Sequence, residues 1–186
     1  TLTSVTAADT ATFMNGTTST NVFTFFGSYV QGVSKPKFTA NGAAGAYGST
    51  ISKYEFTFEG VILQGNNATA GAIKGSGSIT VTATITDSRG RTASKTATLT
   101  ALAYSPPKIV SFSVTRANSD GSLNDMGTSA KVERNVTWSS LNSKNTLTIT
   151  VKSKLRNAAS WTTNNSASVG ATGSYNSPLI AGTFAA

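Results

Sequence analysis

Apolar and hydroxylated residues alternate along several stretches of the chain, most clearly between residues 54 and 101. In "YEFTFE", residues 54–59, aromatic side chains take every second position, and Glu or Thr takes the positions between them. In "ITVTATIT", residues 79–86, and "ASKTATLTA", residues 93–101, mostly small or branched apolar residues alternate with Thr or Ser. Because side chains of a strand point to its two faces in turn, this period of two predicts half-buried antiparallel strands.

The last two of these stretches are joined by "DSRGR", residues 87–91, which has the residues of a tight turn. Asp87 and Ser88 can accept hydrogen bonds from nearby backbone N–H groups, and Gly90 can adopt the positive φ that such a turn requires. We therefore predict a long hairpin that closes an antiparallel sandwich. Arg89 and Arg91 are expected to point into solvent. They are candidate contacts for an acidic partner, although solvated loop charges are the commoner case.

Further strands are predicted on both sides of this hairpin. "NVFTFFGSYVQG", residues 21–32, has apolar residues at both parities and is predicted to be a central strand, or a strand whose outer face meets a neighbouring domain. In the second half, Val110, Phe112 and Val114 share one parity of a strand. In the following strand, Arg134 shares the parity of the apolar residues. Either a bulge turns its side chain away from the apolar face, or the aliphatic part of the side chain lies along that face. The remaining inward positions are Ala130, Val132, Val136, Trp138, Leu147, Ile149 and Val151.

The dipeptide Pro106-Pro107 separates two groups of strands. Proline has no N–H to donate and favours extended backbone, so this pair ends a strand and forms a short, stiff connector. The length of 186 residues suits one large or two small domains, and the proline pair favours two. We predict an immunoglobulin-like β-sandwich at 1–103, a linker at 104–108 and a second immunoglobulin-like domain at 109–186. The fold class is thus all-β, with tandem immunoglobulin-like or fibronectin III-like antiparallel sandwiches.

The second predicted domain has no counterpart of the long hairpin of the first. A sandwich without its last two strands leaves a sheet edge and part of its core uncovered. We therefore expect this domain to be incomplete at its C-terminus, with the natural polypeptide continuing into that hairpin. The alternative is that another subunit supplies the strands by swapping or strand addition.

Composition excludes much enzymatic chemistry. The chain contains no His and no Cys, so it cannot form a Ser-His-Asp or Cys-His triad or an ordinary zinc site. Of its seven carboxylates, Glu55 and Glu59 share a parity and resemble the pair of a glycosidase, but two solvated charges are the favoured interpretation. We expect no enzymatic activity and no cofactor.

A metal is also not expected. Asp120, Asn124 and Asp125 could offer oxygen ligands to Ca²⁺, but their spacing differs from a calcium-binding loop, and such residues are first of all turn formers.

The net charge of +8 is spread over both halves of the chain. Residues 1–103 carry seven Lys and Arg against four Asp and Glu, and residues 104–186 carry eight against three. Charge distributed in this way attracts polyanions without forming a nucleic-acid footprint, so an anionic bacterial wall polymer is a candidate partner and specific nucleic acid is not. No apolar run approaches the length of a membrane span.

Aromatic residues give the remaining candidate contacts. Trp138 lies on an apolar parity and is predicted to be in the core, whereas Trp161 lies among polar residues and suits either a surface contact or packing at the rim of the core. Together with Tyr47, Lys152 and the two arginines of the turn, Trp161 completes the set of candidate ligand contacts.

Two motifs resemble a known family. The loop "RANSDGSLNDMG", from Arg116 to Gly127, and the D-x-x-G-R tip, from Asp87 to Arg91, are similar to those of the immunoglobulin-like repeats in tail minor structural proteins of siphophages, notably streptococcal ones. The resemblance implies a structural or host-contact part of a virion tail, exposed outside the host cell. Its expected partners are other tail subunits or neighbouring domains, and no catalytic residues carry over from the family.

Two functional hypotheses follow. The first is a non-enzymatic module of a phage tail or fibre that acts in spacing or host-surface attachment. The second is a carbohydrate-binding or adhesive module of a bacterial surface protein, with Trp161, Tyr47 and the lysines around Lys152 as contacts to a cell-wall glycan.

Overall fold

A computed structural model describes residues 1–154, 156–169, 173–176 and 179–183. The chain divides into two compact units, Thr1–Tyr104 and Ser105–Ala186. Strands dominate both units, in agreement with the all-β prediction. Within the described residues, no helix has the length and hydrophobicity needed to cross a membrane.

The first unit contains ten strands and one short helix. Their bounds are β1 Ser4–Asp9, β2 Thr12–Asn15, β3 Thr18–Asn21, α1 Val22–Phe26, β4 Tyr29–Val30, β5 Pro36–Asn41, β6 Ile51–Phe58, β7 Val61–Gln64, β8 Asn67–Thr69, β9 Gly77–Asp87 and β10 Thr92–Leu102. One sheet has the order β1-β5-β8, and a second has the order β4-β10-β9-β6-β7. The small β2–β3 hairpin stands apart from both. All pairings are antiparallel except that of β10 with β4.

The two larger sheets of the first unit share one hydrophobic core. Phe38 on β5 is fully buried, and its ring centroid lies 5.7 Å from that of Phe56 and 5.0 Å from that of Phe58, both on β6. The long hairpin covers the same core, since Val81 on β9 and Leu99 on β10 are buried. The alternation predicted for β6, β9 and β10 therefore corresponds to an inner and an outer face.

The segment predicted as a central strand at residues 21–32 is instead a helical turn followed by the short β4. Asn21 caps the helix by accepting a hydrogen bond from the N–H of Thr24 at 3.0 Å, and Gly27 ends it at φ 71°. Capping by Asn and a left-handed Gly at the C-terminus explain why this apolar stretch leaves the extended conformation. The helix turns Phe25 and Phe26 towards Phe13 of β2, with centroid distances of 5.1 and 5.6 Å.

The second unit contains six strands in its described part. Their bounds are β11 Lys108–Ala117, β12 Ser129–Trp138, β13 Leu147–Ser153, β14 Thr162–Val169, β15 Gly173–Asn176 and β16 Leu179–Thr183. β12 pairs on one side with β11 and on the other with β15 and β16. β13 and β14 form a separate two-stranded sheet.

β12 buries the face that its sequence predicts. Val132, Val136 and Trp138 are buried, and so is Arg134 between them. The pairing of β12 is regular at Arg134, which stands directly opposite Phe112. No bulge therefore re-aims this arginine, and its side chain lies on the inner face of the sheet.

β11 differs from its prediction in two ways. A bulge after Ile109 shifts the register, so that Ile109 rather than Val110 stands opposite Val136. The predicted common face of Val110, Phe112 and Val114 is therefore wrong for Val110, which is the extra residue of the bulge. In addition, every residue from 108 to 116 is exposed, although several of them are large and apolar.

Candidate functional site

The tip of the long hairpin is organised by Asp87, which is buried at the end of β9. Its Oδ1 accepts hydrogen bonds from the N–H groups of Arg89 at 2.9 Å and Arg91 at 3.0 Å. Its Oδ2 accepts one from Nε of Arg91 at 2.8 Å, within an ion pair. Gly90 takes φ 79°, as the turn chemistry predicts. The Asp87 carboxylate thus closes the turn and fixes the side chain of Arg91.

The two arginines fasten this tip to the loop between β5 and β6. Nη2 of Arg91 donates to the carbonyl of Ala46 and to Oγ of Ser49, each at 2.9 Å. Nη2 of Arg89 donates to the carbonyl of Tyr47 at 2.9 Å. Both arginines are exposed, as expected, but their donors also bind carbonyls more than 40 residues away in sequence.

The same contacts set the charge state of Asp87. Burial of the carboxylate raises its pKa, but hydrogen bonds from the backbone and side chain of Arg91, the backbone of Arg89 and Ser49 outweigh burial and lower the pKa to about 2. Asp87 is therefore ionised at neutral pH and acts as an acceptor for the surrounding donors. This is the chemistry of a structural cross-link.

Tyr47 lies beside this network. Its backbone has φ 53°, and 85% of the residue is exposed. The guanidinium of Arg91 lies 5.9 Å from the centre of its ring. The structure thus brings Tyr47, Arg89 and Arg91 together at one end of the first unit, whereas the other two candidate contacts belong to the second unit.

In the second unit, Trp161 is 60% exposed, as its polar neighbourhood suggests, while Trp138 is 2% exposed and lies in the core. Nζ of Lys154 lies 5.3 Å from the centre of the Trp161 ring. Lys152 is exposed on β13 opposite Thr163. The lysine at the tryptophan is therefore Lys154, which follows the end of β13.

The two glutamates considered as an acid pair are engaged separately. Glu59 accepts hydrogen bonds from the N–H groups of Lys74 and Gly75, the shortest at 2.7 Å. Glu55 pairs with Lys53 at 2.8 Å and accepts from Nε2 of Gln64 at 2.9 Å. The hydrogen bond from Lys53 is the main cause of a lowered pKa at Glu55. Both side chains hold local structure together.

The acidic loop of the second unit has the same character. Oδ1 of Asp120 accepts from the N–H and Oγ of Ser122, at 2.9 and 2.6 Å, and these bonds lower the pKa of Asp120. Oδ1 of Asn124 accepts from the N–H of Met126 at 2.9 Å. The oxygens of this loop thus form turns, as predicted from their residue types.

The structure therefore defines an all-β protein in which Asp87, Glu59 and Asp120 stabilise turns and loops. A family model described as "Siphovirus protein of unknown function (DUF859)" matches residues 1–181. Since the match covers nearly the whole chain, the chain belongs to this family and is a siphovirus protein. No match was found among curated proteins or among solved structures. The family membership confirms the siphophage origin implied by the two motifs.

The network at Asp87 generates a prediction for the Asp87→Asn variant. This change removes the charge that the Arg91 side chain and the turn amides bind, so we expect the first unit to melt several degrees lower at neutral pH. Because folding lowers the pKa of Asp87 from 3.8 to about 2, its contribution is complete above the higher value and is lost as pH falls towards the lower one. This acid-dependent loss should be present in the unaltered protein and absent from the variant.

Thermal unfolding followed by circular dichroism between about pH 2 and pH 7 measures both effects. Both tryptophans lie in the second unit, so tryptophan fluorescence follows that unit separately. Asp120→Asn serves as the control and should leave the transition of the first unit unchanged. Equal melting temperatures of Asp87→Asn and the unaltered protein across this pH range would show that the network does not stabilise the first unit.

Proposed function

We propose that this chain is a non-enzymatic structural module of a siphovirus tail or fibre, where it spaces or supports the part that contacts the host. The proposal rests on membership of a siphovirus family over residues 1–181, because this membership assigns an all-β chain to a phage. We infer a position in the tail from the motif resemblance.

The strand order of the first unit supports the immunoglobulin-like part of this proposal. Its sheets, β1-β5-β8 and β4-β10-β9-β6-β7, pack on one core. If β1, β5, β6, β7, β8, β9 and β10 are lettered A, B, C, C′, E, F and G, the sheets read A-B-E and G-F-C-C′, with β4 added beside G. This is the order of immunoglobulin-like sandwiches, in which C′ joins the G-F-C sheet. The β2–β3 hairpin and α1 are then an insertion between β1 and β4.

The polar contacts favour a rigid spacer. Asp87 and Arg91 tie the hairpin tip to the loop before β6, and Glu59 ties the end of β6 to the backbone before β9. Each contact joins segments that are distant in sequence, which restricts the motion of the loops at the ends of the sheets. A module that transmits position along a tail benefits from such restraint.

The positive charge suits a role near the bacterial wall. A net charge of +8 attracts phosphate-bearing wall polymers over a range of about a Debye length, roughly 8 Å at physiological salt, without requiring a specific site. We propose this attraction as an aid to host-surface attachment, and other tail subunits or neighbouring domains as the stable partners.

Electron microscopy of purified virions tests the tail assignment. Antibodies raised against the 186-residue chain and coupled to gold should label intact particles on the tail. An antibody against the capsid, used on the same particles, controls for the access of antibodies to the virion and marks the end opposite the tail. A structural role in the virion would be refuted if the capsids are labelled but the antibody to this chain detects it only in the infected-cell lysate and not on the particles.

A second candidate, a carbohydrate-binding or adhesive module, is favoured by one observation. Trp161 exposes 60% of its surface, and Lys154 lies over its ring. A flat exposed ring stacks on sugar faces, and a neighbouring ammonium can pair with an anionic substituent. Under this hypothesis, the ligand is an anionic cell-wall glycan.

A glycan array tests this candidate. If the second unit binds glycan, Trp161→Ala should reduce binding by at least about tenfold, the effect of losing a contact worth about 1.4 kcal/mol. Lys154→Gln should weaken binding to anionic glycans only. Met126→Ala removes a side chain that is 75% exposed and lies outside the candidate contacts, and it should have no effect. Binding that survives Trp161→Ala, or an absence of binding in the unaltered protein, would exclude this function for Trp161.

A further inference from the structure

β7 forms one edge of the five-stranded sheet in the first unit. Among the strands that the structure describes, it pairs only with β6. Its sequence, Val61-Ile62-Leu63-Gln64, contains no charged residue and no proline, and its pairing with β6 shows no register shift. Sheets commonly protect an edge with charges, prolines or bulges, because an open edge binds a further strand. β7 has none of these three protections and is limited only by its length of four residues.

The backbone of β7 presents hydrogen-bonding groups to its open side. The N–H of Gly65 donates to the carbonyl of Tyr54 at 3.0 Å, in continuation of the β6–β7 register. In an antiparallel pair, every second residue exchanges hydrogen bonds with the partner strand, and in β7 these are therefore the odd-numbered residues. It follows that the N–H and C=O groups of Ile62 and Gln64 point away from β6.

The side chains along this edge are apolar on both faces of the sheet. Val61 and Leu63 stand opposite Phe58 and Phe56 and share their inner face, yet Val61 is 47% exposed. Ile62 lies on the outer face and is 61% exposed. A cavity of about 190 Å³ adjoins Val61 and Leu63. Exposed apolar side chains beside unpaired backbone groups are the features of a surface for strand addition.

We propose that β7 pairs with β7 of a second copy of this chain, in antiparallel orientation and about a two-fold axis at Ile62. The outward-pointing backbone groups of the two strands then meet, and the side chains match. Ile62 stands opposite Ile62 of the second copy, and Val61 stands opposite Leu63, so apolar residues face apolar residues on both sides of the sheet. A shift of the axis to Leu63 would instead place Ile62 opposite Gln64.

The charges around β7 are compatible with a second copy, although each chain carries a net charge of +8. Glu59 and Lys74 lie together at the start of the strand, because the Glu59 carboxylate accepts a hydrogen bond from the N–H of Lys74. In the antiparallel arrangement, this start comes beside the uncharged end of the other strand at Gln64. Glu55, opposite Gln64 on β6, is already paired with Lys53. Like charges are therefore not opposed across the axis. This inference rests on the edge strand and not on the proposed tail role.

Disulfide trapping tests the pairing and its register, because the chain contains no Cys. Hydrogen-bonded residues that stand directly opposite in an antiparallel pair have Cα atoms about 5.5 Å apart, a separation that a disulfide spans. Ile62→Cys should therefore form a disulfide-linked dimer under mild oxidation. Gln64→Cys is the matched control on the same face of the same strand. Its two copies would lie about 14 Å apart, four residues along the strand, so its yield of dimer should be at least about tenfold lower.

Analytical ultracentrifugation measures the association without an introduced thiol. The molar mass of the unaltered protein should rise with concentration in the micromolar range, since short paired strands form a small interface. Ile62→Lys places two like charges at the axis and should leave a monomer with an unchanged circular dichroism spectrum. Met126→Lys adds the same charge at a residue of the second unit that is 75% exposed, and it should associate as the unaltered protein does.

Four results would overturn the proposal. The first is a monomer at every concentration, with no more dimer from Ile62→Cys than from Gln64→Cys. The second is an equal, high yield of dimer from both cysteine variants, which indicates random collision. The third is an association that survives Ile62→Lys, which assigns it to another surface. The fourth is a thiol at position 62 that reacts freely in the purified chain at all concentrations and is protected only in virions, which assigns the edge to a different subunit.

Discussion

Coverage of apolar sheet faces is the constraint on which the rest of this structure depends. An alternating strand has one face that must be removed from water, and a single sheet cannot do this alone. In the first unit, Phe38 of one sheet packs on Phe56 and Phe58 of the other, and the long hairpin closes the remaining space. In the second unit, Phe112 and Val114 carry the same kind of face and remain exposed.

Polar side chains in this protein also stabilise the arrangement of its strands and loops. Asp87 closes a turn and, through Arg91, holds a distant loop, while Glu59 and Asp120 bind backbone N–H groups of nearby segments. Charged groups used in this way are fixed by several short hydrogen bonds. This use of the few carboxylates is what connects the fold to the proposed structural role in a siphovirus.

The strands with regular alternation could be predicted from sequence, because a period of two directly reports a half-buried sheet. The helix at residues 22–26 could not, since its apolar residues suit a strand and only the Asn21 cap and Gly27 mark its ends. The contacts of Arg89 and Arg91 were hidden for a different reason. Their acceptors are backbone carbonyls of residues 46 and 47, which no side-chain pattern identifies. The proximity of Lys154 to Trp161 depends likewise on how the segment after β13 folds back.

Residue-by-residue amide hydrogen exchange of the 186-residue protein tests most directly the claim that the apolar faces of the first unit are covered, whereas Phe112 and Val114 of the second unit are exposed in the described part of the chain. The informative amides are those of β9 and β12, since each strand lies inside its sheet and is paired on both sides. We predict that the slowest amides of β12 exchange at least about tenfold faster than the slowest of β9, because an uncovered core lowers the free energy of opening. Equal protection of the two strands would contradict this account.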